Sequence, residues 1–192
     1  MNEPVVQKNS SAQSLSINIK SLLPDLKSHL IFWPLAIGGL VLDLWSKNAV
    51  FSWLDDHEYY VVIDGFLNLT RALNDGAAWS IFSGKSLLLV SVASIALIGI
   101  IIFFLLSGKQ PRIIHAAMGL FTAGIAGNLH DRYYNNGLVR DFIDIHIRNN
   151  HWPTFNIADS LLCIGVGLLI ISSFIAEKPA QKHDPRQKSE QK

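Results

Sequence analysis

Residues 87–106 form a run of twenty residues without a charged side chain, and this run limits the fold more than any other feature. As an α-helix rising about 1.5 Å per residue, the run would be about 30 Å long, which matches the hydrocarbon core of a bilayer. The whole-chain values, 49% hydrophobic residues and a net charge of +1, would also suit a soluble domain. The distribution of apolar residues therefore predicts a membrane-spanning helix, and with it a membrane protein.

Three further segments are apolar enough to span, although each carries a polar residue or two near one end. The four predicted spans are residues 29–50, 87–106, 113–129 and 157–176. In a chain of 192 residues they leave no room for a second soluble domain of ordinary size. We therefore predict one membrane domain over residues 29–176, a polar and disordered extension over 1–28, and a basic cytoplasmic tail over 177–192.

The positions of lysine and arginine predict how the chain is oriented. They lie before span one, between spans two and three, and after span four: Lys8, Lys20, Lys27, Lys109, Arg112, Lys178, Lys182, Arg186 and Lys188. Because such flanking cations mark the cytoplasmic side, both termini are expected inside. The connecting segments 51–86 and 130–156 are then expected outside.

The first outer segment contains two β-prone runs, residues 59–63 and 66–73, separated by Asp64-Gly65. An Asp-Gly pair between such runs is typical of a tight hairpin turn. We therefore expect a small extracytoplasmic β-sheet between helices one and two. The predicted fold class is an all-α membrane protein with four transmembrane helices and this one β segment.

Polar and charged side chains gather near the predicted outer ends of the spans. They are Asp43, Lys47, Asn128, Asp131, Arg132, Asp141, Asn156 and Asp159. Such groups are costly within a membrane protein unless they face protein or water, so each needs a partner. Asp43 and Lys47 are four residues apart and can form an ion pair on one helical face. This pair either only lowers the cost of its own two charges or also positions an active site.

Two carboxylates on separate segments, Asp141 and Asp159, are the sharpest candidates for acid and base chemistry. If the two groups lie within a few Å of each other, their repulsion raises one pKa and the pair shares a proton. The charged member can then activate a water while the protonated member polarises a carbonyl, as in aspartic peptidases. The spacing in the sequence does not show that the two meet.

Five short motifs, taken in order, resemble one family, the lipoprotein signal peptidases or signal peptidase II of bacterial inner membranes. They are residues 43–47 (DLWSK), 74–80 (NDGAAWS), 127–132 (GNLHDR), 139–144 (VRDFID) and 155–160 (FNIADS). The resemblance covers most of residues 30–176. Arg140 departs from the pattern, since a small aliphatic residue more often precedes the first catalytic aspartate.

The resemblance implies an aspartic endopeptidase of the bacterial inner membrane with its active site near the outer leaflet. Its partners would be membrane lipid and diacylglyceryl-modified prolipoproteins, cut just before the lipid-bearing cysteine, and no nucleic acid, cofactor or metal is implied. By similarity the catalytic pair is Asp141 and Asp159, with Asp131 and Asp144 structural. The residues that would bind substrate or shape the site are Asp43, Lys47, Asn74, Gly76, Asn128, Arg132 and Asn156.

Two other interpretations remain open from the sequence. A metal site would use donors of the second outer segment, namely His130, Asp131, Asp141, Asp144, His146 and His151. No histidines have the His-Glu-x-x-His spacing of metalloproteases, so this signal is weak. A non-enzymatic transporter or assembly factor would instead carry polar groups through the middle of the bilayer, whereas spans two and four are apolar there.

Overall fold

The computed structural model describes residues 23–77, 81–148 and 150–176, so most of the predicted extension and the whole predicted tail lie outside the described residues. The described elements are α1 (Leu26–Trp53), β1 (Tyr59–Ile63), β2 (Leu67–Asn74), α2 (Ser86–Leu105), α3 (Arg112–Tyr134), β3 (Val139–Ile147), β4 (Asn150–His151) and α4 (Ile157–Ala176). Each predicted span overlaps one of the four helices, although α1 and α3 are longer than the spans predicted for them.

The helices α1, α2 and α4 are long and apolar enough to cross a membrane. α1 begins just after Asp25, whose carboxylate accepts a hydrogen bond from the backbone N–H of Ser28 at 2.8 Å and so caps the helix. α3 has 23 residues, about 34 Å of helix, but is less apolar. Because α3 packs against each of the other three helices, many of its side chains face protein instead of lipid.

Small residues bring α3 very close to its neighbours. A Cβ atom added to Gly124 would lie 2.6 Å from the carbonyl oxygen of Ala158, and one added to Gly119 would lie 2.8 Å from that of Phe32. No side chain fits at these distances, so the backbone of α3 nearly touches α4 and α1. This close packing sets the C-terminal part of α3 beside the first turn of α4.

The predicted hairpin is present, but the predicted sheet was incomplete. β1 and β2 pair through a turn in which Gly65 has a φ of +71°, a conformation that favours glycine. The sheet then continues with β3 and β4, from the segment between α3 and α4, in the antiparallel order β1-β2-β3-β4. The description as all-α with one β segment was therefore too narrow, because the edge of β2 is completed by a strand far away in the chain.

Two contacts of β3 place the start of α4. The carbonyl oxygen of Phe155 accepts hydrogen bonds from the backbone N–H groups of Phe142 at 3.0 Å and Ile143 at 2.8 Å, and its own N–H donates to Ile143 at 3.1 Å. The residue before α4's N-terminal cap is thereby joined to the strand that carries Asp141. The two segments with the predicted catalytic aspartates therefore lie side by side.

The close approach of α3 and α4 generates a prediction about stability. We expect Gly124→Ala to lower the midpoint of thermal unfolding in detergent, because the new methyl group would overlap Ala158 and such overpacking costs about 1–3 kcal/mol. The matched control is Gly99→Ala in α2, where nothing lies within 4 Å of an added Cβ. Equal midpoints for the two variants would contradict the packing described.

Candidate active site

Asp141 is a buried carboxyl group held by two amide side chains. It lies in β3 with 1% of its surface exposed. Its Oδ1 accepts a hydrogen bond from Nδ2 of Asn156 at 2.6 Å, and its Oδ2 accepts one from Nδ2 of Asn74 at 3.1 Å. Both donors are neutral, and no lysine or arginine among the described residues forms an ion pair with this carboxyl group.

The surroundings of Asp141 favour its protonated form. Burial raises the pKa of Asp141 to about 7, and the nearby charge of Asp159 acts in the same direction. The hydrogen bonds from Asn74 and Asn156 and the positive charge of Lys47 lower this pKa, but they do not overcome burial. Asp141 therefore keeps its proton in mildly acidic solution, where an ordinary aspartate would be charged.

Asp159 lies in the first turn of α4 and is partly exposed. Its Oδ2 accepts a hydrogen bond from the backbone N–H of Asn156 at 3.2 Å, and its own N–H donates to Oδ1 of Asn156 at 3.0 Å. This reciprocal pair has the geometry of a capping box at the N-terminus of a helix. Asp159 therefore has access to water while the helix start fixes its position.

Asn156 and Asn128 connect the two carboxyl groups. Asn156 is fully buried and bonds to both, because its Nδ2 donates to Asp141 while its backbone N–H and Oδ1 engage Asp159. Nδ2 of Asn156 also lies 3.1 Å from Oδ1 of Asn128, whose Nδ2 donates to Asp159 at 2.8 Å. The structure thus brings the two aspartates to one site with a shared hydrogen-bond partner.

The predicted ion pair of Asp43 and Lys47 is present, and its charges reach into this site. The two groups are 2.8 Å apart and fully buried. Nζ of Lys47 also donates to Oδ1 of Asn128 at 3.0 Å, while Oδ1 of Asp43 accepts from the backbone N–H of Ala158 at 2.8 Å. Gly127 makes room for the Asp43 carboxylate, which would touch any added Cβ. The pair therefore orients Asn128 and holds the first turn of α4.

Arg132 fixes the segment that follows β2. Nη2 of Arg132 donates to the carbonyl oxygen of Gly76 at 2.7 Å, and Nη1 lies 3.4 Å from the carbonyl oxygen of Asn128. The N–H of Gly76 in turn donates to Oδ1 of Asn74 at 2.9 Å, which leaves the amide of Asn74 directed at Asp141. All nine residues selected from the sequence therefore belong to one network of hydrogen bonds and ion pairs.

Sequence reasoning missed the partners of Arg140. Its backbone N–H and guanidinium group bind the fully buried Asp131, with the shortest contact at 2.7 Å, and Nη1 donates to Oδ1 of Asn48 at 2.6 Å. Arg140 and Asp141 are neighbours on β3, so their side chains point to opposite faces of the strand. Nothing in the sequence marked Asn48.

The side chains that could bind a metal ion in the alternative interpretation have separate partners in the structure. Asp141 faces two asparagines, whereas Asp131 lies between two cations. Asp144 forms a hydrogen bond of 2.9 Å with His151, whose ring stacks on His146 with centroids 4.9 Å apart. Among residues 23–77, 81–148 and 150–176, no group of three or more His, Cys, Asp or Glu side chains is placed to hold a metal ion.

Comparisons with known proteins agree on one family. The family described as signal peptidase (SPase) II matches residues 35–175. The lipoprotein signal peptidase of Halalkalibacterium halodurans is 35% identical over 153 residues, which cover 80% of this chain and 97% of that protein. The lipoprotein signal peptidase of Francisella tularensis subsp. novicida is 38% identical over 158 residues, again covering 80% and 97%.

Solved structures also match over nearly their whole length. A bacterial membrane enzyme solved by the in meso method at 2.3 Å resolution is similar with a TM-score of 0.73 and 33% identity, covering 85% of this chain and 98% of that one. A second such enzyme, solved at 1.9 Å, has a TM-score of 0.68 and 34% identity. The matched family range includes both aspartates and every residue of the network around them. The chain therefore belongs to the signal peptidase II family of membrane proteases.

Proposed function

We propose that this protease removes the signal peptide from diacylglyceryl-modified bacterial prolipoproteins, cutting just before the lipid-bearing cysteine, with Asp141 and Asp159 as its catalytic pair. The main support for the proposal is that Asn156 forms hydrogen bonds with both carboxyl groups, which differ in burial. Asn156 binds both, while one carboxyl is buried and inclined to hold a proton and the other is partly exposed. The names of the relatives support prolipoproteins as the substrate class.

The two aspartates have complementary roles in the proposed reaction. Asp159 takes a proton from a water whose oxygen attacks the scissile carbonyl carbon, while Asp141 gives its proton to the carbonyl oxygen. The tetrahedral intermediate then collapses: the C–N bond breaks, the leaving nitrogen takes the proton from Asp159, and a hydroxyl proton returns to Asp141. The signal peptide leaves with a new carboxyl terminus, and the lipid-bearing cysteine keeps a free amine.

The surrounding residues serve this cycle by holding the carboxyl groups without exchanging protons themselves. Asn74, Asn128 and Asn156 hold the pair through amide groups, which do not titrate. Neutral donors of this kind bind a carboxyl group before and after proton transfer. Membership of a protease family gives no support to a transporter or an assembly factor.

We also propose four spans, both termini in the cytoplasm, and a site near the outer leaflet of the inner membrane. Lys47 near the end of α1, Asn128 near the end of α3 and Asp159 at the start of α4 meet in one network. α1 and α3 therefore run in the same direction and α4 in the opposite one. A water-dependent reaction on a lipid-bearing substrate is well placed at such a helix end, close to the membrane surface.

The first prediction from the proposed function concerns the catalytic pair. We expect Asp141→Asn and Asp159→Asn each to lower kcat by about 10²–10⁴-fold, because each removes one proton-transfer group. The measurement is cleavage of a diacylglyceryl-modified prolipoprotein by the purified protein in detergent, and a metal chelator should leave the wild-type rate unchanged. The matched control is Asp64→Asn, which alters an exposed aspartate in the β1–β2 turn. Near-normal turnover by either active-site variant would rule out this pair.

The second prediction concerns pH. Because the pKa of Asp141 is raised to about 7, its proton is present below that pH and lost above it. We therefore expect kcat/KM for the prolipoprotein to fall as the pH rises through about 7, measured between about pH 5 and 9. A rate that rose through this range would show that Asp141 must be charged to act, contrary to the proposed roles.

The third prediction concerns orientation. A green fluorescent protein fused after Lys192 should be fluorescent in the bacterial cytoplasm, and alkaline phosphatase fused at the same point should be inactive, because both termini are proposed to lie inside. Alkaline phosphatase inserted between Asp55 and Asp56 should be active outside. The reverse pattern of activities would overturn the proposed topology.

A further inference from the structure

Arg140 joins three helices to the strand that carries Asp141. Its backbone N–H, Nε and Nη2 donate to the carboxylate of Asp131 at 3.0, 3.2 and 2.7 Å, which ties β3 to α3. Its Nη1 donates to Asn48 of α1 at 2.6 Å, and its carbonyl oxygen lies 3.4 Å from Nδ2 of Asn156, at the start of α4. Arg140, directly before Asp141, is therefore bonded to residues of α1 and α3 and to Asn156 before α4.

Asp131, the partner of Arg140, also lies close to Lys47, which belongs to the hydrogen-bond network of the site. Asp131 is fully buried and lies 2.7 Å from Arg140 and 3.4 Å from Lys47. A buried carboxylate without a counterion is strongly unfavourable, so the loss of Arg140 would draw Lys47 towards Asp131. Lys47 is also 2.8 Å from Asp43 and 3.0 Å from Asn128, and a shift of its ammonium group would disturb both contacts.

We propose that Arg140 is a positioning residue for the catalytic pair. It neutralises Asp131, so that Lys47 keeps its hydrogen bond to Asn128 and Asn128 keeps its hydrogen bond to Asp159. It also anchors the backbone that carries Asp141. Arg140 touches neither catalytic carboxyl group through its side chain and acts through Asp131. This inference rests on the proposed function, because it assigns Arg140 a role in the same reaction.

Arg71 provides a matched control for Arg140. It lies on the neighbouring strand β2, with its guanidinium 5.0 Å from the centre of the Phe51 ring, and the guanidinium of Arg140 lies 5.9 Å from the same ring. Arg71 donates to the carbonyl oxygen of Leu54 at 2.9 Å and lies 3.1 Å from Asp56. It therefore anchors the end of α1 as Arg140 does, but its partners lie outside the hydrogen-bond network of the site.

The test compares Arg140→Leu with Arg71→Leu in the prolipoprotein cleavage assay. We expect Arg140→Leu to lower kcat by about 10–100-fold and to change KM by less than about threefold, since a misplaced catalytic group slows the chemical step. The pH at which its activity falls should also move upward, because Lys47, whose positive charge lowers the pKa of Asp141, would be drawn towards Asp131. Arg71→Leu should leave that pH unchanged, even if both variants unfold at lower temperature.

A second substitution tests whether Arg140 acts through Asp131. We expect Asp131→Asn added to Arg140→Leu to recover kcat by about tenfold over the single variant, because the uncompensated charge that attracts Lys47 is removed. Arg140→Lys keeps the positive charge but loses the forked set of donors, so its kcat should lie between those of the wild type and Arg140→Leu. This variant replaces Arg140→Leu in the test if the leucine variant does not fold.

Each outcome decides for or against the inference. A wild-type kcat and pH profile in Arg140→Leu would overturn it, and so would an equal loss with Arg71→Leu, or no recovery on adding Asp131→Asn. These results would leave the proposed function intact so long as the wild type cleaves the prolipoprotein and Asp141→Asn does not. Absence of cleavage by the wild type would overturn the proposed function and this inference together.

Discussion

Two carboxyl groups repel each other when they are brought to one site, and the hydrogen bonds of Asn156 hold Asp141 and Asp159 there. Asn156 donates to Asp141 at 2.6 Å and closes the capping box with Asp159, so one residue fixes both groups. Two further elements, β3 and α3, contribute to the position of this residue. The bridge from Phe155 to β3 sets its backbone, and Asn128 on α3 accepts from its side chain.

Around this pair, the chain compensates its buried charges inside the protein, as a membrane domain requires. Lys47 lies between Asp43 and Asp131, and Arg140 supplies the second cation. These charges balance one another, and Asp141 is bound by the neutral amides of Asn74 and Asn156. The two aspartates then differ in burial, since Asp141 is buried and Asp159 is partly exposed, and burial raises the pKa of Asp141.

The sequence was informative wherever local pattern determines structure. Apolar runs predicted the positions of the helices, Asp64-Gly65 predicted the hairpin, and the spacing of Asp43 and Lys47 predicted their ion pair. It was less informative about α3, which continues to Tyr134, beyond the predicted end at residue 129. The polar residues Asp131 and Arg132 of this last part bind partners within the protein. Hydropathy alone does not register such contacts.

Long-range pairings could not be read from the sequence. β3 pairs with β2 across about seventy residues, as in the register of Asn68 with Asp144, and nothing in the polar segment before it indicated that partner. The meeting of Asp141 with Asp159 depends on that strand and on Asn156, so only the family motifs could select these two aspartates. The partner of Arg140 was hidden for the same reason, since Asp131 lies on a different element.

If Asp141 and Asp159 are one coupled pair, the titration of Asp141 depends on the charge of Asp159, and this dependence can be measured. In protein labelled with ¹³C at aspartate carboxyl carbons, the Asp141 signal can be assigned by its loss in Asp141→Asn. We expect a titration midpoint of about 7 in the wild type. In Asp159→Asn the midpoint should move to lower pH, because a repelling charge has been removed. An unchanged midpoint in Asp159→Asn, or a wild-type midpoint near the ordinary value of 3.8, would show that the two carboxyl groups are not coupled in this way.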